Sequence, residues 1–90
     1  MDNQNSKKRL IKRLRIISGQ ITGIEKMIEG DKYCVDIITQ TLAAREALSG
    51  IENAIFENHL SGHVVQQMKS GKEAKAVREI LLIHKLSKKK

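Results

Sequence analysis

Three side chains in this sequence are of the types that together hold a metal ion: Cys34, His59 and His63. The two histidines stand four residues apart, so on a helix they share one face, one turn apart. Helices use that spacing to point two imidazoles at one ion. Cys34 is the only cysteine and precedes His59 by 25 residues, with no proline between them. On a continuous helix, a rise of 1.5 Å per residue would separate the two by roughly 37 Å. Gly50 is the one weak point, and a single interior glycine costs a helix only about 1 kcal/mol. If the three residues form one site, antiparallel pairing of two copies is the arrangement that assembles it. Each copy's Cys34 would then meet the other's His59 and His63. A thiolate with imidazoles suits Cu(I), Zn(II) or Ni(II) and disfavours Mg or Ca. A lone helical cysteine is otherwise a small buried hydrophobe, and two histidines near a helix end are otherwise ordinary solvent-facing residues. Spacing alone leaves both readings open.

The elements that must carry these residues read as helices, and the fold class as all-α. Asp31 to about Lys69 reads as one long helix. Before it, Leu10, Leu14, Ile17, Ile21, Ile24 and Ile28 are spaced 4, 3, 4, 3, 4, the stripe of a helix packed on another helix. Ser6 suits its N-cap, Gly30 the position just past its end, and Asp31 the next N-cap, so the first helix is expected from about residue 6 to 29. Ile37, Thr41, Ala44, Leu48, Ile51 and Ile55 continue the stripe, and Val35, Ile38, Leu42 and Ala43 broaden it. Two helices joined by a tight turn make an antiparallel hairpin, and two hairpins complete a four-helix bundle. Gly71 suits a helix stop, and Ser70 with Glu73 a capping box for a third helix. That short helix places Ala76, Val77, Ile80, Leu81 and His84 on one face, with His84 as its polar end. Residues 1–5 and the basic tail at 86–90 are expected to be disordered.

Ninety residues make a single domain with a limited core, which oligomerisation would supplement. The net charge is +7, which favours an anionic partner. Lys7, Lys8, Arg9, Lys12, Arg13 and Arg15 put six positive charges within nine residues of the first helix, with no acid among them. Such a face is either solvated or lies along nucleic-acid phosphates. With only Tyr33 and Phe56 as aromatics, base stacking has little to work with. No helix-turn-helix, zinc finger or RNA-binding sheet is recognisable, so DNA binding would rest on charge, groove shape and symmetric repetition. No apolar run reaches bilayer length and no signal peptide is visible, so a cytoplasmic protein with no membrane partner is expected. Cys34 beside a histidine could form a nucleophile and base. However, no phosphate loop or oxyanion signature accompanies them, and a non-enzymatic role is expected.

The segments RLRIISGQITGIEKMIEGDKYC at 13–34 and ENHLSGH at 57–63 resemble the copper-sensitive operon repressors and their nickel/cobalt- and formaldehyde-responsive relatives. The resemblance covers nearly the whole chain. It implies a three-helix protomer without a helix-turn-helix, antiparallel dimers that pair into a tetramer, and sites made of Cys34 from one protomer with His59 and His63 from its neighbour. It implies Tyr33 and Glu79 as a support around the ligand histidine, and Arg13 and Arg45 as DNA contacts beside Lys8, Arg9, Lys12 and Arg15. Ile16 stands where many members carry a further arginine. The copper branch more often has cysteine where this chain has His63. The nickel/cobalt branch adds an N-terminal histidine, whereas residues 2–5 here are Asp, Asn, Gln and Asn. The formaldehyde branch uses a proline where this chain has Asp2, and the persulfide branch needs a second cysteine. Cu(I) is therefore the expected inducer, with Zn(II) or Ni(II) as rivals. The reading is a repressor that holds double-stranded operator DNA when metal-free and releases it on ligation. Its alternatives are a thiol sensor of electrophiles and a basic structural DNA-binding protein.

Overall fold

A computed structural model of the chain describes residues 4–88; residues 1–3, Asp2 among them, and 89–90 lie outside the described residues. All described elements are helical: α1 (Gln4–Glu29), α2 (Cys34–Asn58), a π-helical turn (His59–Val64), α3 (Val65–Lys69) and α4 (Glu73–Ser87). The chain divides into two compact units, Met1–Ile55 and Phe56–Lys90. Residues 4 and 5 are helical, and α4 runs to Ser87, so helix extends into both ends that composition assigned to disorder.

In the first unit, α1 packs on α2 through Leu10, Ile17 and Ile51, with Ala47 and Ala54 against them. Ala44 is also buried. The alanines on α2 let the two helices approach while larger residues on α1 fill the seam. This hairpin uses only part of the apolar stripe. Leu10 and Ile17, seven residues apart, are buried and Ile24 half-buried. The alternate line on the same helix, Leu14, Ile21 and Ile28, is 46%, 54% and 58% exposed. Helix α2 divides in the same way. Ala44 and Ile51 are buried, whereas Leu48, Ile55, Ile38 and Leu42 are exposed. A stripe with period near 3.5 has two sides; here one faces the hairpin partner and the other is left uncovered.

The turn between α1 and α2 differs from the expected one by a residue. Asp31, not Gly30, takes the left-handed conformation, with φ 53°. The Asp31 N–H donates to the Ile28 carbonyl and the Lys32 N–H to the Met27 carbonyl, the paired bonds of a Schellman motif. Aspartate tolerates this region better than most residues. Asp31 thus closes α1 and does not cap α2. Helix α2 starts at Cys34, and the Tyr33 carbonyl accepts from the Asp36 and Ile37 N–H groups.

In the second unit, Val64 and Ala76 are buried, and α3 packs against α4. Gly71 has φ 76°, and the Lys72 N–H donates to the Gln67 carbonyl, so the chain reverses through a second Schellman motif. The expected capping box is absent. The Ser70 hydroxyl donates back to the Gln66 carbonyl at 2.9 Å, and Lys72 occupies the N-cap of α4 with no side-chain bond. The Ser70 hydroxyl thus shares the Gln66 carbonyl with its own backbone N–H, the back-bonding that serine makes at a helix end.

Candidate metal centre

His59 opens the π turn and His63 falls within it. A π turn bonds i to i+5 and is wider than an α turn, so residues four apart come closer to lying directly above one another. The two imidazole rings stack accordingly, with centroids 5.5 Å apart and planes inclined by 25°. The residues between them favour this irregular turn. Gly62 weakens α-helical bonding, and the Ser61 hydroxyl donates to the Glu57 carbonyl at 3.0 Å, pairing an acceptor where the bonding pattern changes.

His59 is oriented by α4. Its Nε2 lies 3.3 Å from Glu79 Oε2. The approach lacks hydrogen-bond alignment, so Nε2 remains without a hydrogen-bond partner. The other carboxylate oxygen, Oε1, accepts from Gln67 Nε2 at 3.0 Å. Glu79 is thus fixed from two sides by the π turn and α3. Gln67 escaped sequence reading. Its one signal is position, eight residues after His59 and so two turns along the same face.

The remaining expected residues lie in the first unit. Cys34 is a free, exposed thiol in the first turn of α2. Tyr33, just before it, is 69% exposed. Among the described residues, no three His, Cys, Asp or Glu side chains of one chain gather as a metal site. His84 is exposed near the end of α4. On the basic face, Lys8, Arg9, Lys12, Arg15 and Arg45 are exposed. Arg13 is half-buried and crosses α2, and a Cβ added at Gly50 would lie 2.6 Å from its Nη2. Gly50 is therefore the bare stretch of backbone on which the Arg13 guanidinium rests, and α2 stays helical through it.

The donor chemistry suits a thiophilic ion. With His59 Nε2 turned to Glu79, its Nδ1 is the nitrogen left to ligate, and His63 stands on the same face. Together these features define an all-α protein with a braced histidine pair and an exposed thiol at a helix start.

Comparison with known proteins agrees. Residues 6–85 match the metal-sensitive transcriptional repressors, and the chain belongs to that family. It is 35% identical over 83 residues to the copper-sensing transcriptional repressor CsoR of Bacillus subtilis, covering 92% of this chain and 82% of that protein. It is 43% identical over 60 residues to the copper-sensing repressor RicR of Mycobacterium tuberculosis, covering 67% of this chain and 62% of that protein. The crystal structure of the copper-sensing repressor CsoR with Cu(I) from Geobacillus thermodenitrificans superposes with a TM-score of 0.90 at 29% identity. That match covers 98% of this chain and 93% of the other. No helix among the described residues is long and apolar enough to cross a membrane.

Proposed function

We propose that this chain is a cytoplasmic, non-enzymatic, Cu(I)-responsive repressor, a single metal-sensing and DNA-binding domain that holds double-stranded operator DNA when metal-free. The observation that carries the reading is the stacked His59–His63 pair with His59 Nε2 held against Glu79. The family match and the copper-sensing relatives support the choice of function and metal.

Cys34 of one copy and His59 and His63 of another would hold the ion. Helix α2 supports this division because it runs from Cys34 to Asn58 without the break that would let a chain's thiol turn back on its own histidines. The uncovered line Leu14, Ile21 and Ile28 supplies the surface through which hairpins would pair into dimers and dimers into a tetramer. When bound, the ion supplies a thiolate–imidazole linkage between copies. The chain's own residues do the rest. Glu79 fixes the His59 ring, Gln67 fixes Glu79, and Tyr33 arrives beside Cys34 from the other copy. Because Glu79 is on α4, ligation at His59 bears on the placement of α4. It shifts the DNA equilibrium only as far as the two arrangements differ in metal affinity. Lys8, Arg9, Lys12, Arg13, Arg15 and Arg45 provide phosphate contacts.

Complementation between variants tests the shared site. Neither Cys34→Ala nor the double variant His59→Ala/His63→Ala should bind Cu(I) tightly alone. Mixed after unfolding and refolding together, they should regain roughly a quarter of wild-type capacity, one intact site in each mixed dimer. No recovery in a mixture shown to contain mixed dimers would place all ligands on one chain and defeat the proposal. Cys34→Ala should still bind DNA but ignore the metal.

A further inference from the structure

The positive charge of this chain is not confined to α1. Residues 56–90 hold eight lysines and arginines against three glutamates, whereas residues 1–55 hold nine against seven acids. Most of the net charge of +7 therefore belongs to the second unit. Part of it lines an open groove of about 390 Å³ at the α3–α4 turn, where Lys69, Lys72 and Lys75 converge with Ser70, Gln66 and His63. All three lysines are exposed. No side chain lining the groove is apolar and none is acidic. Small-molecule pockets are predominantly apolar with a few polar groups; this groove has the opposite character and suits a ligand that is anionic and hydrated. Lys72 and Lys75 are three residues apart at the start of α4, so they lie on one face with Glu79 one turn further on.

We propose that this lysine groove is a second phosphodiester-contacting surface for duplex DNA, separate from the basic face of α1. The inference rests on the repressor reading for its choice of DNA as the source of the phosphate. The groove also explains how the ligand site and the DNA surface meet. His63 lines it, and Gln67, which holds Glu79 in place, lines it too. A change at the histidine pair is thus a change in the wall of the groove.

The test is the salt dependence of DNA binding by the full-length metal-free protein. Removing one protein–phosphate interaction lowers the slope of log affinity against log salt by about 0.9. The variant Lys69→Gln/Lys72→Gln/Lys75→Gln should lower the slope by about that amount for each lysine that touches the duplex, and equally on operator and unrelated DNA. Lys26→Gln, on α1 outside the basic run, gives the effect on the slope of removing one positive charge away from the groove. A triple variant with wild-type helicity and an unchanged slope would overturn the proposal. So would loss of inorganic phosphate binding in the variant, followed by 31P NMR, with DNA binding unaltered; the groove would then serve a free anion. Wild-type protein is measured in parallel. If it bound no DNA at all, the repressor reading would fail; an unchanged slope in the variant alone removes only the groove.

Discussion

Ile21→Ala probes the line of α1 that the hairpin leaves uncovered. Ile21 is 54% exposed, whereas Ile17, one turn before it, is 3% exposed. Full burial of an isoleucine side chain is worth about 1.5–3 kcal/mol relative to exposure, so covering the open half of Ile21 is worth roughly 1 kcal/mol. A two-fold interface contains each residue twice, and Ile21→Ala should therefore weaken dimerisation by about 2 kcal/mol, roughly 30-fold in Kd. Ile21→Asp should weaken it further, because a carboxylate would have to shed water at the interface. Ile17→Ala should behave differently. It opens a cavity inside the protomer and should cost about 2–5 kcal/mol of folding stability. Sedimentation velocity over a dilution series, with far-ultraviolet circular dichroism on the same samples, separates the two effects. Ser18→Ala, on the exposed side of α1, is the control. If Ile21→Ala retained the wild-type dimer constant and helicity, the uncovered line would not be the dimer face.

Other perturbations follow from the same geometry. Glu79→Ala removes the carboxylate 3.3 Å from His59 Nε2 and should weaken Cu(I) affinity by about 10–100-fold, as loss of a ligand's supporting group does. If metal affinity and metal-induced DNA release both survived, coupling through α4 would be wrong. Gln67→Leu keeps the volume but removes the donor to Glu79 Oε1, and should reproduce part of the Glu79→Ala effect in a chelator competition; wild-type behaviour would show that Glu79 needs no second support. Gly71→Ala places a side chain at φ 76° and should destabilise the protein by about 1 kcal/mol. Thermal unfolding at fixed protomer concentration should show a fall of about 4–8 °C; no fall would mean the turn relaxes.

The helices were legible in the sequence because apolar spacing, lack of proline and placement of glycines all agree. The turns were legible only approximately. Gly30 and Asp31 compete for one left-handed position, and periodicity cannot say which residue the Schellman bonds select. Ser70 and Glu73 have the spacing of a capping box, yet the Ser70 hydroxyl reaches Gln66 behind it. The apolar stripe marked packing but not partners, since Leu10 and Leu14 belong to one pattern and only depth of burial separates them. At the site, the histidine pair was legible from its spacing of four. The Gln67–Glu79 bond was not, because it joins α3 to α4 across a turn whose geometry composition does not specify. Arg13 was legible as a charge, but its position over Gly50 depends on the helix crossing. The proposal that Cys34 is shared between copies rests on a length argument, and α2 is continuous from Cys34 to Asn58 as that argument requires.

The most direct test of the central claim is a Cu(I) titration of reduced, chelator-stripped protein under anaerobic conditions. A competing chelator would set free Cu(I), and a labelled duplex carrying the upstream region of the protein's own operon would report binding. The account predicts tight uptake of about one ion per protomer and loss of DNA affinity over the same range. Tight DNA binding that Cu(I) leaves unmoved, with the ion bound, would contradict it. Zn(II), Ni(II) and formaldehyde would then be tested in turn as inducers.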